Sequence, residues 1–187
     1  MKRGNLFILS GPSGAGKGTL RERLCVNCPD IVFSVSCTTR EMRPGEVDGR
    51  HYSFVSRSDF EAMTAGGEFL EWAEVHGNYY GTRRSNVERV LDEGRDVLLE
   101  IDVQGQRQVK ARLPEAISIF ITAPSIGDIE GRLRERRTET QAQLDTRLSN
   151  AEKEMSFARE FDHIVVNDNL KRAEKELVEL VKKYGDK

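Results

Sequence analysis

Cysteine is scarce in this chain, with three residues in all, an odd number that cannot form a complete disulfide framework. Cys25 and Cys28 make a lone C-x-x-C. A zinc site asks for about four ligands, no second pair follows, and His51, His76 and His163 are scattered. Free thiols in a reducing compartment are therefore expected, and no residue is assigned as a metal ligand. Long apolar runs are missing too. The first one, Leu6-Phe7-Ile8-Leu9 behind Met1-Lys2-Arg3-Gly4-Asn5, is too short for a signal peptide or for a membrane span of about 20 residues, so a cytoplasmic location is expected. An excess of one charge is also lacking. The 29 Lys and Arg against 31 Asp and Glu leave a net charge of −2, which gives no general attraction to nucleic acid or to a membrane surface. There are no internal repeats and no low-complexity tracts. A length of 187 residues suits one core carrying small inserted lobes.

What the chain does have is Gly11-Pro12-Ser13-Gly14-Ala15-Gly16-Lys17-Gly18-Thr19, placed between the apolar run at Leu6 and a helical stretch from Thr19 to Leu24. Strand, glycine-rich turn and helix is the context of a phosphate-binding loop. Glycines let the backbone fold back so that several N–H groups face one anion, and the helix that follows adds its positive end. Lys17 supplies a point charge for the outer phosphates of a nucleoside triphosphate. The spacing matches G-x-x-x-x-G-K and then departs: the next position, expected to be a Ser or Thr ligating Mg²⁺, is Gly18, with Thr19 one residue late. Phosphate cradling depends on backbone and lysine and should survive, with water standing in for the missing hydroxyl. The plain alternative is a tight turn that binds nothing.

Along the chain, Ile31–Ser36 reads as a second core strand, and Cys37–Arg50 as a long polar loop of the kind that is usually functional. His51–Val55 reads as a short strand, and a helix capped by Ser58 stops at Gly66-Gly67. Phe69–Val75 alternates as a strand, Gly77–Gly81 reads as a turn with two aromatics, and Ser85–Glu93 as a helix closed by Gly94. Asp96–Asp102 and Ala116–Thr122 are apolar runs typical of buried parallel strands. A helix is expected from Pro124-Ser125 into the arginine-rich Arg132–Arg137, a long helix over Gln141–Glu160, a strand at His163–Val166 and an amphipathic helix over Leu170–Tyr184. Strands alternating with helices predict an α/β fold with a parallel core sheet in a three-layer arrangement. The core is expected at 1–35, 95–125 and 148–187, with an inserted α+β lobe at 36–94 and a short helical lid at 126–147.

Asp102 ends a buried strand, the edge where ligands collect in open α/β sheets, and an acid there is suited to organising Mg²⁺ and its waters. Arg40 and Arg43 can fork onto a phosphate, and Tyr52 and Tyr80 can donate to it, a combination that grips a second phosphorylated molecule. Otherwise these are solvated loop side chains. The run Arg132–Arg137, with four arginines, and Arg147 after it read as a solvated helix face or, in a phosphoryl-transfer enzyme, as a mobile lid that neutralises a migrating phosphoryl group and keeps water away from it.

These residues closely resemble the guanylate kinases along essentially the whole chain. The resemblance is carried by the Gly11–Thr19 loop, Ser36-Cys37-Thr38-Thr39-Arg40, Pro44-Gly45-Glu46-Val47-Asp48-Gly49, Tyr52-Ser53-Phe54-Val55, Glu68-Phe69-Leu70-Glu71-Trp72-Ala73, Gly77-Asn78-Tyr79-Tyr80-Gly81-Thr82, Glu100-Ile101-Asp102-Val103-Gln104-Gly105 and Arg136–Glu139. It implies a P-loop core with a GMP-binding lobe and a lid, and transfer of the γ-phosphoryl group of ATP to GMP, and by extension dGMP, with Mg²⁺. It assigns Ser36, Glu71 and Thr82 to the guanine base, and Arg40, Arg43, Tyr52 and Tyr80 to the GMP phosphate. Lys17, Arg136 and Arg147 go to the ATP phosphates and the moving group. Asp102 joins the same site, with metal, arginine and guanine amine all open as its partner. Gly-Lys-Gly-Thr departs from the family's usual loop and resembles that of adenylate kinases. The competing reading is a non-catalytic guanylate-kinase-like binding module, against which Lys17, Arg136 and Arg147 are all retained. A GTPase is disfavoured, because no N-K-x-D motif occurs. The expected partners are the small molecules GMP and ATP, with the oligomeric state open.

Overall fold

The computed structural model of the chain describes residues 2–75, 77–135 and 140–185. In chain order its elements are β1 (Leu6–Ser10), α1 (Lys17–Asn27), β2 (Val32–Phe33), β3 (Cys37–Thr38), β4 (Ser53–Phe54), α2 (Arg57–Ala65), β5 (Phe69–Val75), β6 (Asn78–Arg83), α3 (Arg84–Asp92), β7 (Val97–Glu100), α4 (Val103–Arg112), β8 (Ile117–Thr122), α5 (Ile126–Glu135), α6 (Gln141–Ser156), a 3-10 turn (Ala158–Glu160), β9 (His163–Val166) and α7 (Leu170–Gly185). They form two compact units, one of Met1–Leu6 with Ile31–Ala116, the other of Phe7–Asp30 with Ile117–Lys187.

In the second unit β8 pairs in parallel with β1, from Phe7 opposite Ile117 to Ser10 opposite Phe120. On its other side β8 pairs in parallel with β9, from Ile119 opposite His163 to Thr122 opposite Val166. Every residue of β1 and β8 is buried, which is why both read as unbroken apolar runs and not as alternation. Helix α1 buries Leu20 and Leu24. Helix α7 buries Ala173, Leu177 and Val181, one stripe at helical spacing. Helices α5 and α6 close a smaller cluster of Ala123, Ile129, Leu133, Leu144 and Ala151. Among the described residues no helix is long and apolar enough to cross a membrane.

In the first unit β2 and β7 pair in parallel, and a four-stranded sheet runs in the order β4-β3-β6-β5. The β3–β4 pairing is parallel, while β3–β6 and β5–β6 are antiparallel. Its strands, with α2 and α3, fall between Cys37 and Asp92. It packs on Cys37, Phe60, Met63 and Phe69, with the Phe60 and Phe69 rings stacked at 4.4 Å.

Several local expectations are corrected here. The second strand is only two residues long. The stretch read as loop begins with β3, because Cys37 and Thr38 are fully buried and the Thr39 N–H donates to the Tyr79 carbonyl. The segment read as an aromatic turn is mostly β6: Val75 pairs directly with Asn78, and Tyr79 and Tyr80 enter the sheet. Helix α2 is capped two residues earlier than expected, by Ser56, whose hydroxyl accepts the Asp59 N–H. The long helix ends at Ser156 instead of Glu160. Helix α4 carries no strong apolar period and holds a glycine in its first turn, so periodicity did not predict it; Asp102 caps it.

Candidate functional site

The phosphate loop lies wholly in the second unit. Gly11, Gly14 and Gly16 all take positive φ, a region that costs other residues about 1 kcal/mol or more. At Gly16 (φ 91°) a Cβ would also lie 2.4 Å from the Asn167 Nδ2, so the position demands glycine twice over. Helix α1 starts at the next residue, with no side-chain cap on its first N–H groups. Uncapped amides at a helix start, beside a lysine, make an anion seat. The Lys17 ammonium is folded onto the carbonyls of Gly11 and Pro12, which holds it over the loop.

Helices α5 and α6 and the loop after β9 complete this half-site. Arg147 donates to the Ser13 hydroxyl at 2.6 Å, so Arg147 reaches the phosphate loop. Arg132 donates to the Asn167 carbonyl at 2.6 Å, and Asn167, itself buried, donates from Nδ2 to the Ala15 carbonyl at 2.8 Å. A cleft of about 470 Å³ opens beside the loop, lined by Gly16, Thr19, Arg132, Asn167, Asp168 and Leu170 among others, a size in the range of small-molecule sites. Arg132 and Asn167 were missed as site residues. Arg132 read as one of a run of helix arginines, and Asn167 follows a buried strand by one residue with no motif to mark it. Arg136 lies outside the described residues.

A second cluster of candidate residues is built within the first unit. Glu71, in β5, is only 3 % exposed, and Thr82, across the β5–β6 pairing, donates its hydroxyl to Glu71 Oε1 at 2.6 Å. Burial pushes the Glu71 carboxyl up to about 7; the nearby Asp102 charge adds to the rise, while the Thr82 hydrogen bonds and Arg112 oppose it. Asp102 accepts the Gly105 N–H at 2.8 Å and caps α4, and its other oxygen accepts from Gln104 at 3.1 Å. Asp102 lies close enough to Glu71 for its charge to act on that carboxyl. The first turn of α4 comes so close to β5 that a Cβ on Gly105 would stand 2.4 Å from Glu71 Oε2. Arg112, at the far end of α4, donates to the carbonyls of Phe69 and Leu70, and Gln108 brackets the backbone of Trp72 with 3.2 and 2.7 Å bonds. These contacts fasten the Glu71 segment to α4.

A further cluster forms on the same unit. Arg40 lies over the Tyr52 ring at 5.3 Å, and Tyr52 and Tyr80 meet edge to face at 5.9 Å. Arg40 donates to Glu46 Oε1 at 2.7 Å, while the other Glu46 oxygen accepts the Arg43 N–H, also at 2.7 Å. The Arg40 guanidinium holds the Glu46 carboxyl below its ordinary range, and burial raises the Tyr52 phenol. The structure thus brings Arg40, Tyr52 and Tyr80 together and ties the Arg43 backbone to them, with the Arg43 side chain exposed. Ser36 sits directly before β3, its carbonyl accepting the Ser53 N–H at 2.9 Å. Glu46 was not singled out by sequence, since a loop carboxylate carries no signal until its arginine is seen.

The family model described as guanylate kinase matches residues 3–184. A guanylate kinase of Bartonella quintana is 50 % identical over 173 residues, 92 % of this chain and 78 % of that protein. That of Rubrobacter xylanophilus is 46 % identical over 183 residues, 98 % and 96 % of the two chains. The crystal structure of guanylate kinase from Anaplasma phagocytophilum superposes with a TM-score of 0.83 at 33 % identity, covering 100 % of this chain and 88 % of that one. A shikimate kinase from Bacteroides thetaiotaomicron, at a TM-score of 0.52 and 17 % identity over 95 % of this chain and 98 % of that one, shares the fold alone. With the family model spanning nearly the whole chain and relatives near half identity, the chain belongs to the guanylate kinase family.

Proposed function

We propose that this enzyme transfers the γ-phosphoryl group of ATP to GMP, giving ADP and GDP, and that the two half-sites hold donor and acceptor respectively. The observation that carries the acceptor assignment is Glu71, a buried carboxylate with one oxygen bound by Thr82 and the other resting against the start of α4. Guanine presents N1–H and N2–H₂ donors side by side, which a carboxylate can accept together. Adenine offers no such pair and would leave a desolvated carboxylate without partners, a mismatch that can discriminate by orders of magnitude. Ser36 and Thr82 are proposed to serve the other edge of the base, with Asp102 beside Glu71. Arg40, Arg43, Tyr52 and Tyr80 are proposed to take the GMP phosphate, Arg40 exchanging or sharing its Glu46 contact.

On the donor side, Lys17 and the Gly11–Thr19 amides are proposed to hold the ATP phosphates, and the cleft along Arg132 and Asn167 the rest of the nucleotide. Phosphoryl transfer asks mainly for positioning and charge neutralisation, and Arg147, already at the loop, is the described arginine placed for it. The segment 126–147, carrying Arg132 and Arg147, is the proposed lid. Mg²⁺ fits as a chelate of the nucleotide. The ion prefers phosphate oxygens and water to an all-protein cage, and among the described residues no cluster of three or more His, Cys, Asp or Glu forms one. With the Ser13 hydroxyl engaged by Arg147, Thr19 supplies the loop hydroxyl that would meet its hydration shell. The cytoplasm is the proposed setting, consistent with three cysteines outside any disulfide.

The test is ADP release with GMP, dGMP, AMP, CMP and UMP as acceptors. Turnover with GMP and dGMP is expected. Turnover confined to AMP, or absent with all five, would defeat the assignment.

A further inference from the structure

We propose that Gly105 is a positioning residue for base selection: its bare α-carbon is the floor on which the Glu71 carboxylate rests. This deepens the reading of Glu71 as the guanine acceptor and rests on it. Gly105 lies in the first turn of α4, with ordinary backbone angles, so glycine is not needed there for conformation, and alanine would favour the helix. What excludes a side chain is contact. A Cβ would meet Glu71 Oε2 at 2.4 Å and Glu71 Cδ at 3.1 Å, with Ile101 Cδ1 at 3.3 Å.

Neither partner can step aside cheaply. The Gly105 N–H is held by the Asp102 cap at 2.8 Å. Glu71 is buried, and its other oxygen is held by Thr82 at 2.6 Å. Strand and helix are further fastened by Gln108 on Trp72 and by Arg112 on Phe69 and Leu70. A methyl group at 105 therefore displaces Oε2, one of the two oxygens a paired donor edge requires, while leaving charge, Thr82 and the phosphate cluster in place. Among the residues of the Glu100–Gly105 stretch, Asp102 acts by charge and Gly105 by leaving room.

The experiment is a double-mutant cycle of G105A and E71A in the full-length enzyme, read by kcat/KM for GMP, KM for ATP, and thermal unfolding. G105A alone is expected to lower kcat/KM for GMP about 10–100-fold, the effect of disturbing one charge-assisted hydrogen bond, with KM for ATP unchanged. With Glu71 truncated nothing remains to be displaced, so G105A is then expected to change kcat/KM less than about threefold and to leave the melting temperature level or higher. A purely structural glycine would cost the same in both backgrounds, and that result overturns the proposal, as does a harmless G105A beside a crippled E71A. If E71A itself leaves GMP use unaltered, the acceptor reading of Glu71 fails first. The unfolding arm of the cycle keeps the coupling measurable even where G105A lowers stability.

Discussion

Replacing Glu71 by Gln separates what this residue does for function from what it does to stability. In the folded protein its carboxyl is pushed up to about 7, first by burial and then by Asp102. Unfolded, it titrates near its ordinary 4.5. Between those values the folded protein holds a proton that the unfolded chain has given up, so the contribution of Glu71 to stability is full below 4.5 and is lost as pH rises through about 7. The difference corresponds to about 3 kcal/mol at pH 8. Glutamine keeps the shape and can still accept from Thr82, but has no charge to bury. Glu71→Gln is therefore expected to raise stability by about 2–3 kcal/mol at pH 8, about 4–10 °C in melting temperature for a chain of this size, and to bring little change at pH 4.5. The same substitution is expected to lower kcat/KM for GMP by roughly 10²–10⁴-fold, since the amide cannot accept two donors with a full charge. In the wild type, GMP affinity should tighten as pH rises to about 7 and then level off, whereas the variant keeps only the part below about 6 that comes from the second ionisation of the GMP phosphate itself. Calorimetric melts and GMP titrations between pH 5 and 8 check both arms. A stability difference that does not vary with pH, or unchanged GMP kinetics, would refute the reasoning.

Three further outcomes are expected. Gly16→Ala places a Cβ 2.4 Å from Asn167 Nδ2 at a φ of 91°, and should raise KM for ATP at least tenfold and cost about 1–3 kcal/mol in denaturant unfolding, with KM for GMP little moved. Gly18→Ser meets nothing within 4 Å, so it should fold and gain about 0.5 kcal/mol from helix propensity. A Mg²⁺ titration of kcat then reads whether the added hydroxyl lowers the metal requirement or was already compensated by water. Arg40→Lys removes the planar fork that now engages Glu46 and the Glu41 carbonyl, and should raise KM for GMP about 10–100-fold with KM for ATP unchanged, as read by initial rates with each nucleotide varied.

The parts that were legible along the chain are those whose signal is local. Leu6–Leu9 and Ala116–Thr122 carry the unbroken apolar runs expected of buried parallel strands, and His163–Val166 a shorter one; all three are strands, the last of them only half buried. The spacing from Gly11 to Lys17 is dictated by backbone angles, so the loop could be recognised before its shape was known. Reading failed where a residue's state depends on distant partners. Cys37–Thr38 and Asn78–Arg83 are ordinary as sequence and become strands because each is the other's neighbour in one sheet. Helix α4 lacks an apolar stripe and is held instead by the Asp102 cap and by side chains reaching β5.

The sequence by itself determined the chemistry available: a glycine loop with one lysine, a lone set of arginines and tyrosines in a polar stretch, and an acid at position 71 in a pattern shared with guanylate kinases. Motifs of that kind are written in residue type and spacing, which one dimension can hold. Tertiary structure alone decided what each group experiences. It buried Glu71 against Asp102 and so moved its proton equilibrium, occupied Arg40 with Glu46, and joined Asn167 to Ala15 across 152 residues. It also turned Gly105, unremarkable in a helix, into the surface that sets where a carboxylate can stand. Desolvation and steric contact are properties of neighbours in space, and those neighbours exist only once the chain has folded.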